Sequence, residues 1–571
     1  MYTKLPVTHP SLIAVEDIYT LNKAQCVAFR TAGCILLRYF LLNEPECEAK
    51  IEASDKIAAR LCSHLSKQLL FYLGGEGGTG KSTVMRAIEH FSIAWGIRKA
   101  LGITAPTGAA AVEINGSTIH SFAGINSFGK ATEAATSAQA AATSLSGIAL
   151  LILDEVSLVS AELLGTISNT LSSKRGNKTE RFGGMSVMFS GDFGQLKPVS
   201  GHALYAVGDE TAVDVAVPST ALIGHQIWMN ELTGCVMLSE NYRAKNDPAF
   251  ISFLRRLRRR CVTVEDIGRL ETRRIRPSLC PTIDAAAVFY ANSDVNAANC
   301  ARVHEHAKRL KKKVFRICAR VHKPGTSHTN SIAPDGPAHS GYVIGSSSTS
   351  EGKKKYSALD LFIGAPVTLY VNNALTALGI AKGSRGVVVG TCPPICELSS
   401  HEEDVKVTVD TTARVTVLEE MPTHIFVQVP GSCVSFDGLP EGVMPVKVTT
   451  TVIKVHGHAE RMKVAQFDIR LNYAHTCHKL QGKTEDAVVV GTTNRILNFN
   501  YTAFSRARSF LGVFIMGSVI ITRKLLNAKP DNADAIDNEV DRLERLSAIT
   551  LAATLPHPAA PQSASTDDQR E

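Results

Sequence analysis

Short runs of apolar residues alternate along the chain with longer stretches whose apolar positions recur every three or four residues. The run QLLFYLG at 68–74 reads as a buried strand, residues 80–96 as a helix behind it and residues 20–45 as a helix ahead of it. Further strand-like runs stand at 99–105 (KALGITA), 148–153 (IALLIL) and 185–190 (MSVMFS), separated by helix-compatible segments. A succession of this kind predicts an α/β domain built on a parallel sheet, expected over residues 1–225.

A second alternation starts near 236 and resumes at 484–491 (TEDAVVVG) and 511–516 (LGVFIM), so something is inserted between its halves. Residues 226–390 are expected to form its first part, with irregular basic insertions, and 466–525 its last. Between them, 391–465 alternate Val and Thr (VKVTVDTTARVTV, HIFVQVPG, VKVTTTVIKV), the pattern of a small antiparallel, barrel-like module. Residues 526–571 read as a C-terminal helix and polar tail. The stretches 323–355 and 555–571 lack periodicity and read as mobile, and the Ala-rich 130–147 as a weak helix or a loop.

Composition narrows the class. With 571 residues the chain exceeds the ~250 at which single cores stop growing, and 44% hydrophobic with 20% charged residues is ordinary for a soluble globular protein. No apolar run approaches the ~20 residues that span a bilayer, so no membrane partner is expected. The opening residues, MYTKLPVTHPSL, do not read as a secretory signal. Thirteen cysteines are scattered, Cys392 and Cys396 being the closest pair, and none stands at CxxC spacing, so they read as reduced core thiols. Net charge is +8, with basic runs at Arg255, Arg256, Arg258, Arg259 and Arg260 and from Lys308 to Lys313. These runs could neutralise nucleic-acid phosphates or form a solvated basic helix face.

The segment Gly75-Glu76-Gly77-Gly78-Thr79-Gly80-Lys81-Ser82 matches G-x-x-x-x-G-K-[ST], with a strand before it and a helix after it. Its glycines let the backbone wrap phosphates, Lys81 reaches the terminal phosphates and Ser82 is a ligand for Mg²⁺. ATP contacts are expected over Gly75 to Thr83. The run Leu150–Glu155 ends a buried strand on two carboxylates, Asp154 to hold Mg²⁺ and Glu155 to orient the attacking water as base. Gly191-Asp192-Phe193-Gly194-Gln195 follows another apolar run, and Gln195 could contact the terminal phosphate. Arg243 and Arg506 are candidates to neutralise charge on the transferred group.

In motif order the chain resembles the Pif-type (petite integration frequency) DNA helicases, relatives of the RecD-like motors of superfamily one. The resemblance covers roughly residues 20 to 520. It rests on LNKAQ at 21–25, GGTGKS at 77–82, TAPTGAAA at 104–111, STIHSF at 117–122, LDEVS at 153–157 and GDFGQLKPV at 191–199, where Lys197 departs from the family's usual Pro. It continues with NYR at 241–243, GAPVTLYVNN at 364–373, KGSRGVVVG at 382–390, HKLQGKT at 478–484 and YTAFSRA at 501–507. The resemblance implies two RecA-like domains with ATP between them, a β insertion in the second, and 5′-to-3′ movement on single-stranded DNA with unwinding of forked duplex. It further implies that Gln25 reads adenine and that Thr107, Gly108, His120 and Phe122 lie along DNA. His478 to Thr484 would couple DNA to ATP, with Gly482 on the nucleotide and His478 and Thr484 on DNA, and Arg243 and Arg506 would be arginine fingers. A monomer working in the nucleus is expected, the mitochondrion or, for a non-eukaryotic source, the cytoplasm being the alternatives. The rival readings are a degenerate motor that only binds nucleic acid and a phosphate-loop ATPase acting on proteins.

Overall fold

The computed structural model describes residues 9–44, 68–125, 145–207, 217–276, 285–323, 343–346, 354–370, 378–380, 382–408, 411–455, 460–493, 498–528 and 533–554. Most of 130–147, much of 323–355 and all of 555–571 lie outside them.

The first domain is a six-stranded, all-parallel sheet of β1 (Leu70–Gly75), β2 (Leu101–Ala105), β3 (Ser117–Thr118), β4 (Leu150–Leu153), β5 (Ser186–Gly191) and β6 (Gly234–Leu238). Its order is β3-β2-β4-β5-β1-β6. Every residue of β1, β2, β4 and β5 is buried, which is why these strands read as continuous apolar runs instead of alternations. Helices Lys23–Asn43 and Lys81–Ala94 bury Phe29, Leu36, Val84 and Ile88 in one core, and helices Ala161–Lys174 and Ser219–Asn230 bury Leu164, Ile167, Ile227 and Trp228 in another. Helix Lys23–Asn43 is long and apolar enough to cross a membrane by composition, contrary to the expectation that no run approaches that length, and it is packed in the first of these cores. Because β4, β5 and β1 are neighbours, the loops that follow them converge at one edge of the sheet.

The second domain is a five-stranded parallel sheet in the order Ala474–Thr476, Ala287–Phe289, Val488–Val490, Val513–Met516, Arg274–Ile275. Helix Pro248–Arg258 packs Phe250, Phe253 and Leu257 against Val488, Val490 and Phe504 in its core.

Four further expectations are corrected. The run at 234–238 pairs with β1 instead of opening the second alternation, so the first domain extends past 225. The β insertion begins near 315, not 391. Strands Phe315–Cys318, Arg320–His322, Val343–Ser346, Lys354–Tyr356, Ala358–Leu361 and Pro366–Leu369 pair with one another and with strands between Arg385 and Leu471, in one nine-stranded and one four-stranded sheet. The arginines at 255–260 are not a free basic face. Arg258 is buried on Asp192, Arg256 pairs with Asp266 at 2.6 Å, Arg259 with Asp541 and Glu544, and Arg260 with Asp537. Lys308 and Lys311 to Lys313 do stay exposed. Of the described cysteines, Cys34, Cys235 and Cys477 are buried, whereas Cys261, Cys392, Cys396 and Cys433 are exposed, so only some are core thiols.

The C-terminal helix, Ala533–Thr554, returns to the first domain and covers the outer edge of β6. Ser547 Oγ accepts from the Met237 N–H at 2.8 Å and Thr550 Oγ1 from that of Cys235 at 3.1 Å, so side chains stand in for the missing neighbour strand. Glu539, fully buried, accepts from Trp228 Nε1 at 2.7 Å.

Candidate nucleotide site between two domains

The loop after β1 turns through Gly78 at φ +93, a conformation that favours glycine, and delivers Lys81 to the first turn of its helix. Lys81 Nζ donates to the carbonyl oxygens of Gly75 at 2.6 Å and Glu76 at 3.2 Å. Burial pushes the Lys81 ammonium down from its ordinary value, and the Asp192, Glu155 and Asp154 carboxylates partly offset this.

After β4, Asp154 is pushed up to about 7 by burial and by the charge of Glu155 beside it. Its Oδ1 is buried without a hydrogen-bond partner. A carboxylate oxygen without a partner, on a residue that lines the same cleft as Ser82, is a donor set suited to a hard divalent cation, so the residues fit Mg²⁺. Glu155 adopts φ +51, ψ 42, the left-handed region, at a non-glycine position. Such strain persists only where surrounding contacts enforce it. One of those contacts is Gln481 Nε2, which donates to Glu155 Oε2 at 3.0 Å and to Ser157 Oγ at 3.1 Å.

After β5, Gln195 Nε2 donates to Asp192 Oδ2 at 3.3 Å, which leaves Gln195 Oε1 buried and unpartnered. Engaging the nitrogen presents the oxygen as an acceptor, the polarity needed to orient a water.

Two arginines close the cleft: Arg243, in the segment after β6 whose Tyr242 N–H donates to the Gly78 carbonyl at 2.8 Å, and Arg506 from the second domain. A Cβ added at Gly77 would lie 2.7 Å from Arg506 Nη2 and 3.1 Å from Arg243 Nη1, so glycine there is what lets both guanidinium groups reach the phosphate loop. Arg243 Nη1 donates to the Ser505 carbonyl at 2.6 Å, and Arg506 Nη2 to Ser505 Oγ at 3.0 Å. Burial, and then the neighbouring Arg506 charge, push Arg243 down to about 9. Two cations held this close, with no carboxylate between them, are arranged for an anion.

The resulting cleft holds about 590 Å³ and is lined by Gly77 to Thr83, Asp154, Glu155, Gln195, Arg243, Gly482 and Arg506, a volume suited to a nucleotide. Sequence reasoning gave no nucleotide role to Arg86, Glu113, Tyr242, Arg385, Lys483, Glu485 and Arg508, which also line it. Only Tyr242, Arg385 and Lys483 lay inside quoted motifs.

Some expected residues stand elsewhere. Gln25 braces the phosphate loop from behind: its Oε1 accepts from the Asn22 N–H at 2.9 Å in a capping box, and its Nε2 donates to the Thr79 carbonyl at 3.2 Å. That commits the amide expected to read adenine. The Glu76 side chain lines a separate cavity with Arg255 and Arg258, away from the cleft. Thr484, expected on DNA, lines the nucleotide cleft. Thr107 caps the helix that starts at Gly108, its Oγ1 accepting from the Ala110 N–H at 3.3 Å, so both sit at the carboxyl end of β2. His120 and Phe122 follow β3 at the same edge, and the Phe122 ring packs over Gly102, partly buried. Burial lowers both His120 and His478, favouring their neutral forms.

Two parallel-sheet domains, with a phosphate loop and paired acids on the first, Arg243 beside that loop and Arg506 from the second, have the P-loop architecture of two RecA-like domains around a cleft. Residues 50–260 match the family described as PIF1-like helicase. The ATP-dependent DNA helicase PIF1 of Candida albicans is 33% identical over 274 residues, which cover 46% of this chain and 29% of that protein. Human ATP-dependent DNA helicase PIF1 is 26% identical over 482 residues, 82% of this chain and 61% of that protein. Among solved structures, the Pif1 helicase from Candida albicans gives a TM-score of 0.56 at 23% identity, covering 85% of this chain and 98% of that one. Bacteroides Pif1 bound to ssDNA gives 0.57 at 20%, covering 85% and 96%. The chain is similar in sequence to the Pif1-like helicases and shares their fold. It spans less than a third of the Candida albicans protein and about three-fifths of the human one.

Proposed function

We propose that this chain is an ATP-dependent DNA helicase that moves on single-stranded DNA, 5′ to 3′ by family resemblance, and unwinds forked duplexes. The observation that carries the reading is the assembly of the cleft from both domains, with Arg243 and Arg506 lying over Gly77 and Gln481 on Glu155. A nucleotide bridging such a cleft couples its own hydrolysis to domain movement, which is what a translocating motor requires.

In this reading the loop amides and Lys81 hold the phosphates, and Ser82 and Asp154 would hold Mg²⁺, which would supply neutralisation of phosphate charge. Glu155 takes a proton from the water that Gln195 Oε1 helps to orient. Attack at the γ-phosphorus breaks its bond to the ADP oxygen, and Arg243 and Arg506 neutralise the charge that develops. DNA would follow the edge carrying Thr107, Gly108, His120 and Phe122, with His478 reporting its presence to Gln481. A monomer working in the nucleus completes the proposal, checked by light scattering and by imaging of a tagged chain.

The competing ATPase without unwinding is separated from this reading by strand displacement on duplexes with a 5′ or a 3′ tail, with and without ATP. Unwinding of the 5′-tailed duplex, lost in Lys81→Ala and Glu155→Gln, is expected. ATP turnover without displacement of either duplex would favour the rival, and displacement of the 3′-tailed duplex alone would reverse the polarity.

A further inference from the structure

Asp192 lies at the end of β5 in the first domain, is fully buried, and is gripped mainly by the second domain. Arg258 donates to its Oδ1 through Nη2 at 3.0 Å and Nε at 3.3 Å, and Tyr501 donates to its Oδ2 at 2.9 Å. The Gly194 N–H adds a bond to Oδ1 at 2.8 Å. Burial alone would raise this carboxyl, but the charges of Arg258 and Lys81 hold it below its ordinary value, so it stays an acceptor. Asn498, beside Tyr501 in sequence, donates to the carbonyls of Phe193 at 3.2 Å and Gln195 at 2.9 Å. Leu196 is packed in the core of the second domain. The loop from Asp192 to Leu196 is therefore continuous with the first sheet but fastened to the second domain.

We infer that Tyr501 and Arg258 are positioning residues for Gln195, acting through Asp192 to keep its amide in register with Arg506 of the second domain. Tyr501 and Arg506 are five residues apart at the short helix Phe499–Phe504 and its end, both buried, so the group that orients water and the group that neutralises phosphate are set by one rigid piece. The bond from Asp192 Oδ2 to Gln195 Nε2 transmits that placement and fixes which end of the amide faces the cleft. This deepens the proposed ATP hydrolysis and rests on it.

The test compares kcat and KM for ATP hydrolysis, with a saturating single-stranded oligonucleotide, in the unaltered chain, Tyr501→Phe, Gln195→Ala and the double variant. Phenylalanine keeps the ring packing and removes one hydrogen bond to a charged acceptor. The expected result is a fall in kcat of about five- to tenfold with KM for ATP changed by less than about twofold, and no further fall when Tyr501→Phe is added to Gln195→Ala. Arg258→Lys, which keeps the charge but shortens the reach, is held to the same criterion should Tyr501→Phe fail to fold. An equal fall in both backgrounds, an unchanged kcat, or a shift in KM alone overturns the positioning role while leaving ATP hydrolysis standing. No hydrolysis by the unaltered chain overturns both.

Discussion

Placing a carboxylate at residue 481 gives a sharp test of how the two domains close on Glu155. Gln481 Nε2 lies 3.0 Å from Glu155 Oε2, with 3% and 6% of the two residues exposed, so solvent screens this contact poorly. Gln481→Leu removes a hydrogen bond to a charged group, a loss of about 1.5–3 kcal/mol. Gln481→Glu is nearly isosteric but turns the donor into a second anion. Two like charges about 3 Å apart at an effective dielectric of about 20 repel by roughly 5 kcal/mol. At about 1.4 kcal/mol per tenfold, kcat/KM for ATP should fall about ten- to a hundredfold in the leucine variant and more than about a thousandfold in the glutamate variant. Steady-state ATP hydrolysis with saturating single-stranded DNA reads both, with melting curves to show that the domains remain folded. A glutamate variant as active as the leucine variant would refute the contact as the one that closes the cleft.

Gly77→Ala should lower kcat/KM for ATP by about tenfold or more, because its methyl meets both arginines, while leaving the melting temperature within about 2 °C. Equal activity would mean that the arginines do not reach the phosphate loop during turnover. Ser547→Ala and Thr550→Val each leave a β6 N–H without its partner and should cost about 1–3 kcal/mol, measured by urea unfolding; a combined loss under ~0.5 kcal/mol would show that the C-terminal helix does not cap the edge. Without metal, the raised Asp154 carboxyl, compared with an unfolded value near 3.9, means that the native state holds an extra proton between roughly pH 4 and 7. Stability therefore falls as pH rises through that window, and Mg²⁺ should raise the melting temperature progressively more across it; a pH-independent Mg²⁺ effect would remove Asp154 from the metal site.

The chemistry was legible in the sequence because it is local. Each of the three loops that carry it follows a strand buried on both faces, and such strands read as apolar runs ending in Gly75, Asp154 and Gly191. The β-rich insertion was legible in character but not in extent. Its strands from 315 to 369 are short and lie among polar segments, and only pairing across the chain assigns them to those sheets. The same limit explains the run at 234–238. Hydrophobicity says that a strand is buried but not which neighbour it pairs with, and β1 is about 160 residues away.

Charge behaves in the same way. Five arginines between 255 and 260 look like a nucleic-acid surface in sequence, yet their partners Glu76, Asp192, Asp266, Asp537, Asp541 and Glu544 come from four separate segments. The sequence by itself pointed to the phosphate loop, the paired acids and the glutamine, since short spacing and strand-end position specify them, and the resemblance in motif order added the two arginines. The tertiary structure alone decided that Gln25 braces the loop, that Thr484 faces the nucleotide, that the C-terminal helix seals β6, and that Asp192 ties one domain's glutamine to the other domain's arginines. These depend on contacts between residues far apart in sequence, and no local pattern of side chains encodes them.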